Sequence, residues 1–210
     1  MNKNIINRIL QNTSHPEGFW GRMIIYGMNR FHTPLARRGL DMIEWQPGWN
    51  VLDVGCGGGA NLKRLMKLCP NGKIYGIDAS EESVSFSRKH NLSDLDKRCF
   101  IRLGDVCSLP YPDETFDAVT AFETVYFWTP LDVAFSEVLR VLRPEGRFLI
   151  SVEACNPEKG RIWTERISGM TIHSPESLEE SLRKAGFVNI IKNVKNNEAH
   201  IVACKKQKIK

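Results

Sequence analysis

Val51-Leu-Asp-Val-Gly-Cys-Gly-Gly-Gly-Ala-Asn61 is the stretch that decides the fold. Its first four residues form a short apolar run with two β-branched valines, the composition of a buried strand. Gly55, Gly57, Gly58 and Gly59 then crowd into five positions, and the amphipathic segment after Ala60 reads as a helix. A strand that turns through glycines into a helix can bring its backbone close to a ligand, with N–H groups aimed at it. A ligand-cradling loop at the carboxyl end of a parallel strand is therefore expected.

Outward from this loop, short apolar runs alternate with amphipathic segments, the pattern of parallel strands joined by crossover helices. Strands are expected near 50–55, 73–78, 99–104, 116–122, 146–153, 187–194 and 198–204. Ser80 before Glu81-Glu82, Thr129-Pro130 and Ser174-Pro175 read as helix starts, each a capping hydroxyl followed by first-turn acids or proline. The end of the chain breaks the alternation. Only Lys195-Asn-Asn-Glu198 separates Phe187–Val194 from Ala199–Cys204, too little for a helix, so the last two strands should pair as an antiparallel hairpin. Residues 1–46 precede the first strand and look helical in parts, with breaks at Pro16-Glu-Gly18 and Thr33-Pro34. They are read as a helical appendage or lid on a domain spanning 47–210.

Composition bounds the function classes. Apolar residues are 42% and charged residues 25% of the 210, as in a folded globular chain. The net charge of +5 is concentrated at the end, where Lys205, Lys206, Lys208 and Lys210 leave +1 for the rest. No basic stripe interleaved with aromatics accompanies them, so no nucleic-acid partner is expected. The six cysteines (Cys56, Cys69, Cys99, Cys107, Cys155, Cys204) show no CxxC or neighbouring His-x3-His spacing, so no metal site is expected. Free thiols and the lack of a signal-peptide core or a long apolar run predict a cytoplasmic protein that does not span the membrane.

The glycines do not choose the ligand. Gly55, Gly57 and Ala60 satisfy the dinucleotide fingerprint, and Asp78 stands where a ribose-binding acid belongs, so a nicotinamide-dependent oxidoreductase is a real alternative. Three features argue against it. Asp53, two residues before the first glycine, would repel a pyrophosphate at the mouth of the loop but attract an ammonium group. Gly104-Asp105 closes the third strand with a second acid able to accept a hydrogen bond from an adenine amino group. The terminal hairpin also departs from the paired crossovers of dinucleotide-binding sheets.

With these residues in hand, the chain resembles the class I S-adenosylmethionine-dependent methyltransferases, and more narrowly the methyltransferase domain of quinone- and sterol-type enzymes. The likeness lies in Val51–Asn61, Tyr75-Gly-Ile-Asp78, the stretch from Gly104 through Asp105 to Asp117, and Leu142-Arg-Pro-Glu-Gly-Arg-Phe-Leu149, over roughly residues 47–155. The resemblance implies an α/β, Rossmann-like three-layer sandwich with a mostly parallel seven-stranded sheet, strand order 3-2-1-4-5-7-6. It further implies S-adenosyl-L-methionine as methyl donor, S-adenosyl-L-homocysteine as product, no metal and a small-molecule acceptor. Gly55, Cys56, Gly57, Gly59 and Asn61 would then lie along the methionine part, with Asp53 near its amino group. Asp78 would hold the ribose hydroxyls and Ala79 would pack on adenine. Gly104, Asp105 and Val106 would frame the adenine edge, and Phe122 and Glu123 would border the sulfonium.

On the acceptor side, Glu123, Tyr126, Trp128 and Glu153 near strand ends, with His32 and Tyr26 from the appendage, are the candidate acid–base or lining groups. A carboxylate at the end of the apolar run Val119–Phe122 is costly unless paired or used, which favours Glu123. Tyr126-Phe-Trp128 reads either as a cation–π shield or as packing. The Phe19–His32 segment would place Tyr26, Met28, Asn29 and His32 over the ligand if it is a lid. A domain that binds S-adenosylmethionine without turnover is the non-enzymatic alternative.

Overall fold

The computed structural model describes Gly27 and residues 32–207. The described elements run α1 (Thr33–Leu40), β1 (Val51–Val54), α2 (Ala60–Leu68), β2 (Ile74–Asp78), α3 (Glu81–His90), β3 (Cys99–Leu103) and β4 (Phe116–Phe122). They continue with α4 (Leu131–Val141), β5 (Leu142–Val152), α5 (Pro157–Thr164), α6 (Pro175–Ala185), β6 (Phe187–Lys195) and β7 (Glu198–Lys205). Among them the strands form one sheet in the order β3-β2-β1-β4-β5-β7-β6, as expected. The first five strands pair in parallel, and β7 pairs antiparallel with both β5 and β6.

The side-chain period of a strand sends alternate residues to opposite faces. Leu52, Val119, Phe148 and Ile150 point to one face, where they meet Phe135 and Val138 of α4 and Leu178 and Leu182 of α6. Val51, Ala118, Leu149 and Val202 point to the other, against Leu62 and Leu65 of α2 and Ala36 and Leu40 of α1. Both faces are thus dry, and the layers are helix, sheet, helix.

Local signals explain most boundaries. Ser80 and Ser174 cap α3 and α6 by accepting the Ser83 and Ser177 N–H groups at 3.2 and 3.1 Å. Asn156 caps α5 in the same way, from Lys159 at 3.0 Å. Two expectations are corrected. Thr129 does not cap α4: Pro130, extended at ψ 139°, occupies the cap position with no side-chain hydrogen bond, and the helix starts at Leu131. Thr33-Pro34 does not break a helix but starts α1, because a proline in the first turn lacks an N–H that would be unpaired there anyway. β5 also begins earlier than expected. Leu142 already pairs with Phe116, the chain arches through Glu145 at φ 64°, and pairing resumes with Arg147 on Ala118.

α1 sits on the hairpin side of the sheet. Gly39 is a packing requirement there, since a Cβ would lie 2.2 Å from Ser151 Oγ. Arg38 donates to both carboxylate oxygens of Glu198, at 2.6 and 2.5 Å. Glu198 in turn lies 2.6 Å from His200 Nε2, and His200 Nδ1 lies 3.0 Å from Ser151 Oγ. α1 is therefore fixed through a polar chain that reaches the strand next to β4. Tyr26, Met28, Asn29, Lys208 and Lys210 lie outside the described residues.

Candidate active site

The loop after β1 has the backbone that its glycines permit. Gly55, Gly57 and Gly59 stand at φ 70°, 50° and 75°, a region where an L side chain is strained. A Cβ on Gly55 would fall 2.1 Å from Thr124 Oγ1, and one on Gly59 2.2 Å from Ser87 Oγ, whereas the Cβ position of Gly57 meets nothing within 4 Å. Gly55 and Gly59 are thus closed by neighbouring protein, while Gly57 faces open space. Gly59 caps α2 without any side-chain hydrogen bond, and no acid occupies the first turn of that helix. Backbone donors at that helix end suit a polar or anionic ligand group.

Three acids surround the loop in different states. Asp78 ends β2, and its carboxylate accepts the Gly57 N–H at 2.8 Å and the Ser80 N–H at 3.0 Å, tying the loop to the neighbouring strand. Asp105 is exposed and accepts the Cys107 N–H at 2.7 Å, starting the short turn at Val106. Asp53, expected to face the mouth of the loop as a buried charge, is enclosed by protein. Only 1% exposed, it accepts a 2.6 Å hydrogen bond from Thr120 Oγ1, and burial pushes its carboxyl up to about 7 despite that bond. Its influence on a ligand runs through its field and through Thr120 rather than through an exposed oxygen.

The other expected cofactor residues gather at the same carboxyl edge of the sheet. Cys56 is buried and its thiol is pushed well up by burial, so it packs instead of reacting. Asn61 accepts from Arg64 at 2.7 Å, and Arg64 also donates to Thr33 Oγ1 at 2.6 Å, which links the loop helix to α1. Ala79 is exposed, Val106 and Phe122 are 8% exposed, and Gly104 leaves room for Ile77 Cδ1, 2.6 Å from where a Cβ would lie.

Glu123 follows β4 with φ 58°, its own N–H bound to Ser151 O at 2.9 Å. Its Oε1 accepts from Tyr126 Oη at 3.0 Å and from the Glu153 N–H at 2.5 Å. The Ala154 N–H donates to Tyr126 Oη at 3.0 Å, so the phenol is committed to the framework. His32, just ahead of α1, brings Nδ1 to 3.4 Å from Glu153 Oε1 and 4.0 Å from Glu123 Oε2. Burial raises the Glu123 carboxyl to about 7, with His32 and the Glu153 N–H pulling the other way. Burial also works against the charge of His32, but the Glu153 contact and the two carboxylates outweigh it and raise its pKa. Thus His32, Glu123, Tyr126 and Glu153 meet although up to 121 residues separate them in the chain. Trp128 does not join them: it is buried, parallel to Phe148 at 6.2 Å, and belongs to the core.

Residues that were not singled out in the sequence complete the site. Thr120 holds Asp53, and Ser83, Ser87 and Asn91 make a buried polar stripe on α3. Asn91 donates to Gly59 O at 3.2 Å. The four-residue spacing of that stripe is a legible signal of a helix face packed on polar backbone.

Residues 52–150 match the family model described as a methyltransferase domain, the span that holds the loop and all three acids. The chain carries a methyltransferase domain of this family. Nocamycin O-methyltransferase of Saccharothrix syringae is 30% identical over 76% of this chain and 66% of its own length. Demethylmenaquinone methyltransferase of Symbiobacterium thermophilum is 36% identical over 54% of this chain and 46% of its own. The chain thus spans less than two thirds of the length of these relatives. Among solved structures, a chain of the complex between the Haloferax volcanii Trm112 methyltransferase activator and a methyltransferase superposes with a TM-score of 0.81, at 22% identity, covering 89% of this chain and 94% of that one. At that identity the likeness is one of fold.

Proposed function

We propose that this protein is an S-adenosyl-L-methionine-dependent methyltransferase that moves a methyl group to a small-molecule acceptor by in-line displacement. One observation carries the reading: the open Gly57 and the bare start of α2 lie beside the buried Asp53, whose carboxylate is held by the Thr120 hydroxyl. A dinucleotide pyrophosphate would meet a second negative charge there, whereas an amino-acid cation meets a favourable field. The loop and the start of α2 would hold the methionine part, Asp78 and Ala79 the ribose and adenine, and Asp105 and Val106 the adenine edge. When bound, the cofactor supplies an electrophilic methyl group on a sulfonium.

The chain's own residues then align and protect. Phe122 and the buried Tyr126 restrict water near the end of β4, and Glu123 holds or takes a proton at Oε2, its Oε1 being fixed by two donors. α1, delivered by the Arg38–Glu198 pair, supports His32 over this edge, which fits the reading of residues 1–46 as a lid. Deleting residues 1–31, which leaves α1 and its buried Leu35, Ala36 and Leu40 in place, should keep the fold and impair turnover; unchanged turnover sinks the lid. A reducing, cytoplasmic setting fits the six free cysteines, and no helix among the described residues is long and apolar enough to cross a membrane.

The test is a thermal-shift comparison. Saturation at a hundred times Kd stabilises a protein by about 2.7 kcal/mol, easily read as a melting shift. S-adenosylmethionine should give it and nicotinamide cofactors should not. Labelled methyl donor offered to a panel of acceptors then separates an enzyme from a binding domain, since only the enzyme moves label.

A further inference from the structure

We infer that the acceptor of this site is an amine, bound as its ammonium form between the carboxylates of Glu123 and Glu153 with His32 alongside. The inference rests on the methyltransferase reading above and adds the chemical class of the acceptor. Three segments far apart in sequence bring His32, Glu123 and Glu153 together so that one donor or acceptor atom of each lies within 4.8 Å of the others. The group sits at the carboxyl edge of the sheet, on the side of β4 and β5 next to the glycine loop after β1.

Among the described residues, no partner with several hydrogens is shared by the three side chains. Glu123 Oε1 is filled by Tyr126 and the Glu153 N–H, while Oε2 faces His32 at 4.0 Å, beyond hydrogen-bond range. His32 Nδ1 is itself enclosed and makes no aligned hydrogen bond, its nearest carboxylate oxygen being 3.4 Å away. Glu153, with its side chain 46% exposed, leaves the cluster open on one side. An ammonium group has three donors on a single small centre, which matches two carboxylates better than any neutral hydroxyl does.

The reaction favours the same class. A phenol must become an anion to attack and a carboxylate already is one, and here either negative charge would lie beside two carboxylates. An amine avoids this. The ammonium passes one proton to Glu123 Oε2, and the freed nitrogen lone pair forms the bond to the methyl carbon. The carbon–sulfur bond breaks with its electrons left on sulfur, giving the neutral thioether, and the positive charge ends on nitrogen within the same carboxylate pair. Glu123 then returns its proton to water. The burial that lifts the Glu123 carboxyl to about 7 makes it a competent acceptor of that proton.

The experiment uses the full chain preloaded with S-adenosylhomocysteine and matched probes of one shape: 2-phenylethylamine against 2-phenylethanol, and hexylamine against hexanol and hexanoate. Calorimetry should show each amine binding at least tenfold more tightly than its oxygen counterpart, and Glu153→Gln, at a half-exposed position, should bring the ratio to within threefold. Label from the methyl donor should appear on nitrogen. Equal or better binding of the alcohol or carboxylate, no binding by any amine, or a preference untouched by Glu153→Gln overturns the inference. Manganese bound at micromolar concentration and lost in Glu153→Gln, read by electron paramagnetic resonance, assigns the cluster to a metal and overturns it as well. If S-adenosylhomocysteine itself fails to bind, it is the methyltransferase reading that falls.

Discussion

Replacing Asp53 by Asn should stabilise the protein without ligand while weakening its hold on the methyl donor. Asp53 is 1% exposed, and burial lifts its carboxyl from the ordinary 3.8 to about 7. Because the folded-state pKa is the higher one, the native protein holds a proton that the unfolded chain has lost between these values. Stability from this group is therefore intact below about pH 4, falls as pH rises toward 7, and stays low above it. A lift of that size corresponds to a cost of up to about 4 kcal/mol for the ionised form at pH 8. An Asn keeps an Oδ1 to accept the 2.6 Å Thr120 hydrogen bond but never carries the charge. Melting curves without ligand from pH 5 to 8 should show the variant's advantage widening to several degrees at pH 8, at about 2–4 °C per kcal/mol. Calorimetry on the same samples should show weaker S-adenosylmethionine binding. An advantage that stays flat across the pH range, or a variant less stable at pH 8, would refute the reasoning.

Asp78→Asn places an amide N–H2 against the Gly57 or Ser80 N–H, so one of two charge-assisted bonds is lost; a ten- to hundredfold rise in the S-adenosylmethionine Kd by calorimetry is expected. Gly59→Ala meets Ser87 Oγ at 2.2 Å with φ 75°, and urea unfolding should report a loss of about 1–3 kcal/mol. Phe148→Ala opens a hole among Phe135, Trp128 and Phe187, and the same unfolding assay should show a loss of about 3–5 kcal/mol.

The periodicity of the chain carried the sheet. Each of the seven strands lies within a few residues of its expected place, and the four-residue link at Lys195–Glu198 made the hairpin unavoidable. β5 escaped at its start because Pro144-Glu-Gly146 reads as a turn, and only the tertiary partner Phe116 makes Leu142 part of the strand. In the site, spacing identified the glycines and the strand-end acids, because those follow from a local strand–loop–helix. It could not give the protonation of Asp53, which depends on Thr120 and the packing above β1. Nor could it join His32 to Glu123 and Glu153, since their meeting is set by how α1 is clamped to β7 through Arg38 and Glu198. The absence of a local metal-ligand spacing in the sequence likewise said nothing of ligands assembled from three segments.

The measurement that bears most directly on the account is calorimetric titration of the full chain with S-adenosylmethionine and, separately, with NADH and NADPH. Saturable one-site binding of S-adenosylmethionine, weakened by Asp78→Asn, with no heat from either nicotinamide cofactor, is the predicted result. Binding of a nicotinamide cofactor without binding of S-adenosylmethionine would contradict it.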